Sequence, residues 1–287
     1  MATDELVRLS ELTIEYSIRT KFLKTDWFQV VDHISLSIFK GEILALVGES
    51  GCGKTTLGKA TLRLIPVSSG KVIFRGNDIT TSNESNLHWF RKQAQMIFQD
   101  PYSCIDPYMS VREILEEPLR IHGISEKERV ITSILESVRL VPVADYLPKF
   151  PHMLSGGQKQ RLVIARALIL RPNYLFADEP VSMIDASSKA EILELILRIR
   201  SEQDFSCLYV THDIATVRHF ADRVAVMYLG KIVEIGIPSQ VIEAPFHPYT
   251  KALIESVPEP DPANRTKFRN GIQGESPHPA NAPSGCS

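Results

Sequence analysis

The feature that most constrains the fold is a glycine-rich loop between a predicted strand and a predicted helix. Ile43–Val47 is a short, wholly apolar run, typical of a strand buried in a parallel sheet. The pattern G-x-x-x-x-G-K-[ST] follows at Gly48–Thr55, and Thr55–Leu64 is a predicted helix that stops before Pro66. This order of strand, loop and helix predicts a site for a nucleoside triphosphate.

The loop has the chemistry that phosphate binding requires. Glycines let successive backbone N–H groups point at phosphate oxygens, and the N-terminus of the following helix adds its positive end. We expect Lys54 to reach the β- and γ-phosphates of the nucleotide and the Thr55 hydroxyl to bind Mg²⁺. The predicted nucleotide-binding residues here are Gly48, Glu49, Ser50, Gly51, Cys52, Gly53, Lys54, Thr55 and Thr56. A glycine turn that binds nothing is the alternative, and the motif alone also fits GTPases, kinases and motor proteins.

A second predicted strand, Tyr174–Ala177, ends in the adjacent acids Asp178 and Glu179, before Pro180. In a parallel sheet the carboxyl ends of the strands face the ligand crevice. We therefore expect Asp178 to reach Mg²⁺ through a water molecule and Glu179 to polarise the water that attacks the γ-phosphate. The alternative is an ordinary acid pair that begins a surface turn.

The rest of the chain divides into segments that differ in predicted secondary structure. The pattern up to about residue 99 predicts mainly strands, the first of them at Leu12–Glu15. The pattern of residues 101–151 predicts helices. Ser125 with Glu128 matches the capping-box pattern before an apolar helical stripe. Strands and helices then alternate, with a helix at Lys189–Arg200, a strand at Leu208–Val210, a helix at Ile214–Ala221, and a hairpin of Val224–Tyr228 and Ile232–Ile235 around Gly230. This alternation predicts a mostly parallel sheet with helices on both faces.

Charge and composition exclude some classes of function. With 32 basic and 34 acidic residues the net charge is −2, which gives no electrostatic footprint for nucleic acid. No apolar run approaches the roughly 18–20 residues that span a bilayer, and the polar start is not a secretory signal. The four cysteines (Cys52, Cys104, Cys207 and Cys286) form no C-x-x-C pair, which indicates a reducing cytoplasm without disulfides or zinc.

The segment Leu154–Leu168, LSGGQKQRLVIARAL, identifies a family. Its Ser-Gly-Gly step leaves backbone N–H groups uncovered at a helix start, which makes a second phosphate-binding end. The segment resembles the signature sequence of ABC-type ATPases. That resemblance implies that two ATPase domains meet head to tail and that Ser155, Gly156, Gly157 and Gln158 of each cover the ATP of the partner. The alternative is a plain glycine turn before an amphipathic helix.

Further residues correspond to the same family position by position. Gln99 resembles the Q-loop glutamine, which senses Mg²⁺ and the γ-phosphate, and His212 resembles the switch histidine. Asp185 ends a segment similar to the D-loop. Tyr16 resembles the aromatic residue that stacks on adenine, although a half-buried strand tyrosine is the alternative. The implied fold is an α/β P-loop NTPase (RecA-like) core with an N-terminal antiparallel β portion. The implied domain covers residues 1–257, with a helical subdomain inserted at about 101–168, and a Pro-rich tail follows at 258–287.

Three segments narrow the resemblance to oligopeptide/dipeptide importers: Ala94–Ser103, Glu117–Gly123 and His247–Leu253. Tyr228–Glu234 is closer to the second of the two ATPase subunits in such systems. The implied partners are a paralogous ATPase subunit, two transmembrane permeases and an extracytoplasmic solute-binding protein. The implied location is peripheral, on the cytoplasmic side of the cell membrane.

Four questions stay open at this point. A homodimer is the alternative to pairing with a paralogue. Oligosaccharides or nickel are alternatives to peptides as the cargo, and a soluble, non-transport ABC ATPase is the alternative from another class. Cys286 is the only cysteine of the tail, so we predict no iron–sulfur cluster there, and whether the C-terminus is complete stays open.

Overall fold

The computed structural model describes residues 4–21, 24–101 and 103–256. Along the chain its elements are β1 (Glu5–Lys21), β2 (Lys24–Phe39), β3 (Ile43–Val47), α1 (Lys54–Thr61), β4 (Ser69–Phe74), β5 (Asn77–Asp78), α2 (His88–Gln93), β6 (Ala94–Ile97), α3 (Val111–Ile121), α4 (Lys127–Ser137), α5 (Val143–Tyr146), α6 (Gly156–Leu168), β7 (Tyr174–Asp178), α7 (Ala186–Gln203), β8 (Ser206–Thr211), α8 (Ile214–Phe220), β9 (Arg223–Tyr228), β10 (Lys231–Gly236) and α9 (Pro248–Glu255). None of the helices in these ranges is both long and apolar enough to cross a membrane. The predicted tail at 258–287, with Cys286, lies outside the described residues.

The chain forms two compact units, one of Met1–Ser82 with Leu208–Ser287 and the other of Asn83–Cys207. Helices α3 to α6 belong to the second unit and lie between residues 111 and 168. The division of the sequence into an ATPase domain at 1–257, a helical insertion at about 101–168 and a tail stays a prediction.

The first unit contains the antiparallel β portion. β1 pairs with both β2 and β4, and the strand order of this sheet is β2-β1-β4-β5. The predicted strand Leu12–Glu15 lies within the longer β1, whose Leu9, Leu12 and Ile14 are buried. The prediction of strands in the first part of the chain is confirmed. The length of the first strand was predicted too short, because polar residues interrupt the apolar pattern of β1.

The same unit contains a parallel pair and a hairpin. β3, all five of whose residues are buried, pairs in parallel with β9, and β9 pairs antiparallel with β10. Leu229 and Gly230 join these strands with φ angles of 45° and 83°, and positive φ at both central residues is the mark of a type I′ hairpin turn. The predicted hairpin around Gly230 is confirmed. Helices α8 and α9 contribute Val217 and Leu253 to the core around β3 and β9.

The second unit has its own parallel pair, in which β6 runs beside β7 with Ala94 opposite Tyr174 and Ile97 opposite Ala177. Predicted helices differ from the structure at their ends, and α8 stops at Phe220, one residue before the predicted end. α7 extends the predicted Lys189–Arg200 at both ends, and in the first unit α1 stops at Thr61 rather than Leu64. α1 is shorter because Arg63 adopts a left-handed φ of 53°, which cannot continue a helix.

The predicted capping box of Ser125 and Glu128 is wrong. α4 begins at Lys127 with Glu126 as its N-cap, and no side chain caps it. The Glu128 carboxylate instead pairs with Arg112 of α3. The N-cap backbone explains the failure, because Glu126 has ψ 47° and a capping residue normally has the extended conformation.

Candidate functional site

The loop Gly48–Thr55 begins directly after the buried strand β3 and ends in the first turn of α1. Gly48 and Gly53 have positive φ angles of 153° and 107°. A Cβ atom at Gly48 would lie 2.2 Å from the carbonyl oxygen of Met227, and one at Gly53 would lie 2.5 Å from that of Val30. Only glycine fits at either position, so these two residues let the loop curl closely against β2 and β9.

The Lys54 side chain lies inside this loop and is 6% exposed. Its Nζ donates hydrogen bonds to the carbonyl oxygens of Gly48 at 2.8 Å and Glu49 at 2.6 Å, and it lies 3.7 Å from the Cys52 sulfur. Burial raises the pKa of the Cys52 thiol, so the sulfur carries no charge near neutral pH. The loop therefore encloses a single buried cation, and a positive charge among curled backbone is what a phosphate group requires.

Three other predicted site residues of the first unit lie in the first turn of a helix or just before a helix. Thr55 and Thr56 are half-buried in the first turn of α1, at its positive end. His212 is exposed between β8 and α8. Its neighbour Asp213 is held in place, because its backbone N–H bonds the Thr211 hydroxyl at 3.0 Å and its side chain accepts a bond from the N–H of Thr216 at 3.3 Å. This cap fixes the backbone on the C-terminal side of the histidine.

Tyr16 lies on β1 and is 40% exposed. Its ring centroid is 6.4 Å from that of Phe28, on the paired strand β2. The phenol is thus supported by a second ring while much of it stays open to solvent, which is the condition for stacking on a flat base.

In the second unit the carboxyl end of β7 presents the two predicted acids. Asp178 is 4% exposed, and Glu179 is half-buried. Glu179 has a φ of 44°, which is uncommon for a residue other than glycine. Its carbonyl oxygen accepts hydrogen bonds from the backbone N–H and the hydroxyl of Ser182, at 3.1 Å and 3.0 Å. The turn therefore holds Glu179 in a strained conformation that directs its side chain differently from a regular strand continuation.

Gln99 and Glu179 are brought together across 80 residues of sequence. The Gln99 Nε2 atom donates a hydrogen bond of 3.2 Å to Glu179 Oε2. Gln99 follows β6 and Glu179 follows β7, so the parallel pairing of these strands places both residues at one edge. This hydrogen bond fixes one oxygen of the Glu179 carboxylate relative to the Gln99 side chain.

The predicted helix after Ser155 is α6, and it begins with a capping box that was not predicted from the sequence. Ser155 is the N-cap, and its hydroxyl accepts a hydrogen bond of 3.3 Å from the N–H of Gln158. The Gln158 side chain accepts one of 3.0 Å from the Ser155 N–H and donates one of 3.3 Å to the Tyr146 hydroxyl. Gly156 and Gly157 occupy the first turn, where helical geometry provides no internal acceptor for their N–H groups. This helix end is therefore preorganised for an anion.

Asp185 is exposed and forms the N-cap of α7, without a side-chain hydrogen bond to the helix. Within the second unit, then, the predicted site residues are Gln99, Ser155, Gly156, Gly157, Gln158, Asp178, Glu179 and Asp185. Within the first unit they are Tyr16, Gly48–Thr56 and His212. One contact had no sequence signal: the hydroxyl of Tyr249, in α9, accepts the backbone N–H of Glu49.

Residues 31–182 match the family described as "ABC transporter", and residues 233–287 match "Oligopeptide/dipeptide transporter, C-terminal region". The oligopeptide transport ATP-binding protein OppF of Salmonella typhimurium is 40% identical over 98% of this chain and 86% of its own length. YkfD of Bacillus subtilis, provisionally named an oligopeptide transport ATP-binding protein, is 44% identical over 90% of this chain and 79% of its own.

Solved structures agree with the predicted fold class. CbiO1 of Clostridium perfringens, part of the ABC transporter complex cbiONQ, is 27% identical with a TM-score of 0.73, covering 84% of this chain and 92% of its own. The ATP-binding cassette MJ0796, solved as a dimer in a post-hydrolysis state with ADP and Pi, is 25% identical with a TM-score of 0.72, covering 81% and 98%. The predicted α/β P-loop fold with parallel and antiparallel portions is confirmed.

Proposed function

This chain belongs to the ABC transporter family of ATPases, and from that premise we propose that it powers the import of oligopeptides or dipeptides. Support for the cargo comes from the match of residues 233–287 to the oligopeptide/dipeptide C-terminal region and from the names of the relatives. In this proposal the chain acts from the cytoplasmic face of a membrane by binding two permease subunits. A solute-binding protein outside the membrane delivers the cargo to those permeases.

The nucleotide-binding part of the proposal assigns roles to the residues of the loop. Lys54 binds the β- and γ-phosphates of ATP, the backbone of Gly48–Thr56 surrounds them, and Tyr16 stacks on the adenine. His212 contacts the γ-phosphate. The buried ammonium of Lys54 and the two obligatory glycines support this assignment.

Mg²⁺ is the cation proposed to bind together with ATP. The residues assigned to it are Thr55, Gln99 and, through a water molecule, Asp178, whose hydroxyl, amide and carboxylate oxygens are the type of ligand that this cation prefers. The described residues contain no cluster of three or more His, Cys, Asp or Glu that could hold a metal alone. Few protein ligands are usual for Mg²⁺ that binds together with substrate phosphates, whose negative charge the cation neutralises.

The observation that carries the hydrolytic role is the hydrogen bond between Gln99 and Glu179. It orients the carboxylate at the end of β7, where the strained backbone of Glu179 already fixes its direction. We expect Glu179 to polarise the attacking water, and Glu179→Gln keeps the size of the side chain but removes its basic oxygen. ATP hydrolysis should then fall by about 100-fold or more while ATP binding persists.

Glu202→Gln is the matched control, because Glu202 is an exposed glutamate on α7. The two variants should unfold at the same temperature, and the control should hydrolyse ATP at the wild-type rate. Hydrolysis by Glu179→Gln at the wild-type rate would remove Glu179 from the role of base.

The proposed working form is a dimer in which the start of α6 closes over the ATP of the partner subunit. Its support is the preorganised N-terminus of α6 together with the dimeric state of the MJ0796 cassette. A paralogous ATPase is the proposed partner, and a homodimer is the alternative. Co-purification with permeases tests the transport role, since a soluble, non-transport ATPase would bring none.

The cargo is tested on a different protein, because the ATPase subunit does not contact the cargo. The solute-binding protein that belongs to the same transporter should bind oligopeptides or dipeptides in a calorimetric titration. Binding of oligosaccharides or nickel instead would keep the ATPase mechanism and replace the proposed cargo.

A further inference from the structure

The phosphate-binding loop is attached to α9 by one hydrogen bond. The Tyr249 hydroxyl accepts the backbone N–H of Glu49 at 3.0 Å, across 200 residues of sequence. On the other side of the same peptide group, the carbonyl oxygen of Gly48 accepts a hydrogen bond of 2.8 Å from Lys54 Nζ. Because a trans peptide is planar, with its C=O and N–H pointing in opposite directions, Tyr249 and Lys54 hold this one group from both sides.

The beginning of α9 is itself fixed to the strand β10. The Glu234 carboxylate accepts the N–H groups of Phe246 at 2.9 Å and His247 at 3.0 Å. Burial opposes the ionisation of Glu234, but the polar groups around its carboxylate, including these two N–H groups, outweigh it and lower the pKa. His247 Nδ1 then accepts the N–H of Tyr249 at 3.2 Å, which caps the helix. The position of Tyr249 thus depends on a charged carboxylate, each of whose oxygens accepts one of these N–H groups.

The Tyr249 ring is locked by packing as well. It is 9% exposed, and its centroid lies 4.2 Å from that of Tyr228, the last residue of β9. Tyr249 and Leu253 share a buried apolar cluster with Val47, the residue that immediately precedes the loop. Burial raises the pKa of the Tyr249 phenol, so its hydroxyl stays neutral. A rigid, neutral hydroxyl at this position is suited to orienting a backbone group rather than to chemistry.

We propose that Tyr249 is a positioning residue for nucleotide binding: its hydroxyl orients the Gly48–Glu49 peptide and, through it, the Lys54 ammonium. The C-terminal region that begins at residue 233 thereby sets the affinity of the phosphate-binding loop for ATP. The inference rests on the proposed binding of ATP by this loop.

The size of the effect follows from the single bond involved. Without the hydroxyl, the half-buried N–H of Glu49 loses its acceptor, and the peptide that anchors Lys54 is free to rotate. A hydrogen bond of this kind corresponds to an affinity change of about 3- to 10-fold. Lys54 binds phosphates before and during hydrolysis alike, so the change appears in KM rather than in kcat.

The test compares Tyr249→Phe with Tyr228→Phe in the full-length chain. Both substitutions keep an aromatic ring in the stacked pair, and only the first removes the bond to Glu49. We expect Tyr249→Phe to raise the KM and the calorimetric Kd for MgATP by about 3- to 10-fold, with kcat within about twofold of wild type. Tyr228→Phe should match the wild type, and both variants should unfold within a few degrees of it.

Each other outcome identifies what is wrong. Wild-type affinity in Tyr249→Phe, or an equal loss in both variants, would overturn the positioning role, because the hydroxyl would then not be the cause. A fall in kcat at unchanged KM would overturn it as well. If the wild-type chain itself showed no saturable binding of MgATP, the proposed function of the loop would fail first, whatever the variants did.

Discussion

Replacing Ser155 by alanine separates a helix cap from a nucleotide contact. The hydroxyl of Ser155 accepts the N–H of Gln158 at 3.3 Å, and the Gln158 side chain accepts the N–H of Ser155 at 3.0 Å. The substitution removes the first of these bonds, and loss of a serine N-cap destabilises a protein by about 1 kcal/mol. For a domain of this size the melting temperature should fall by about 2–4 °C.

The chain contains a matched control in the same unit. Ser110 caps α3 with the same motif: its hydroxyl accepts the N–H of Glu113 at 3.3 Å, and the Glu113 carboxylate accepts the N–H of Ser110 at 2.7 Å. Ser110→Ala should therefore lower the melting temperature by a similar amount. Since α3 is not part of the proposed nucleotide site, hydrolysis should stay within about twofold of wild type.

Steady-state hydrolysis of MgATP by the full-length chain distinguishes the two roles. If the Ser155 hydroxyl also contacts a phosphate of the partner's ATP, the variant loses a hydrogen bond to a charged group, and hydrolysis should fall by about 10-fold or more. Dilution should lower the wild-type rate for the same reason, because the contact requires two chains. Equal rates for Ser155→Ala and Ser110→Ala would refute the reasoning and leave Ser155 as a helix cap alone.

Two further predictions concern stability. Gly53→Ala should lower the free energy of unfolding in chemical denaturation more than Gly76→Ala does. Both glycines have positive φ, which costs alanine about 1–2 kcal/mol. Of the two, only Gly53 would place the new Cβ within 3 Å of other atoms. Equal losses would contradict the tight packing of the loop. Burial and the neighbouring His88 ring lower the pKa of His122 below its ordinary value of 6.5. Neutral His122 therefore contributes to the free energy of unfolding above pH 6.5, and this contribution is lost as the pH falls through the lowered pKa. His122→Gln should flatten the fall in melting temperature between about pH 7 and pH 5, and an unchanged slope would contradict this assignment.

The sequence predicted those parts of the fold whose signals are local. The loop Gly48–Thr55 had an apolar strand before it and a helical pattern after it, and the structure has both. Gly230 between two apolar runs predicted the hairpin because left-handed turns favour glycine. Bounds were less well predicted, as α1 and α7 illustrate, since the ends of a helix depend on backbone angles that composition leaves open.

Capping motifs illustrate the limit of a local pattern. Ser110, Ser125 and Ser155 each precede a Glu or Gln by three positions, yet only the first and third form the box. Ser110 and Ser155 have extended backbones with ψ of 162° and 165°, which direct the hydroxyl at the N–H of the third helical residue. The chain around Ser125 enters α4 one residue later, and the carboxylate of Glu128, which the box would require, pairs with Arg112 of the neighbouring helix α3. A four-residue pattern carries no information on that neighbour.

Two contacts within the site could not be predicted from the sequence, because they too join residues that are distant along the chain. Gln99 and Glu179 are 80 residues apart, and Glu49 and Tyr249 are 200 apart, so neither pair belongs to one periodic segment. Both contacts join residues that follow or cover the carboxyl ends of strands, where parallel pairing makes distant segments neighbours. The motif showed which groups would meet a phosphate, but it did not show what holds their backbone still. In this chain the backbone at Glu49 is held by α9, so the segment after β10 is part of the structural support of the loop rather than an appendage to the ATPase.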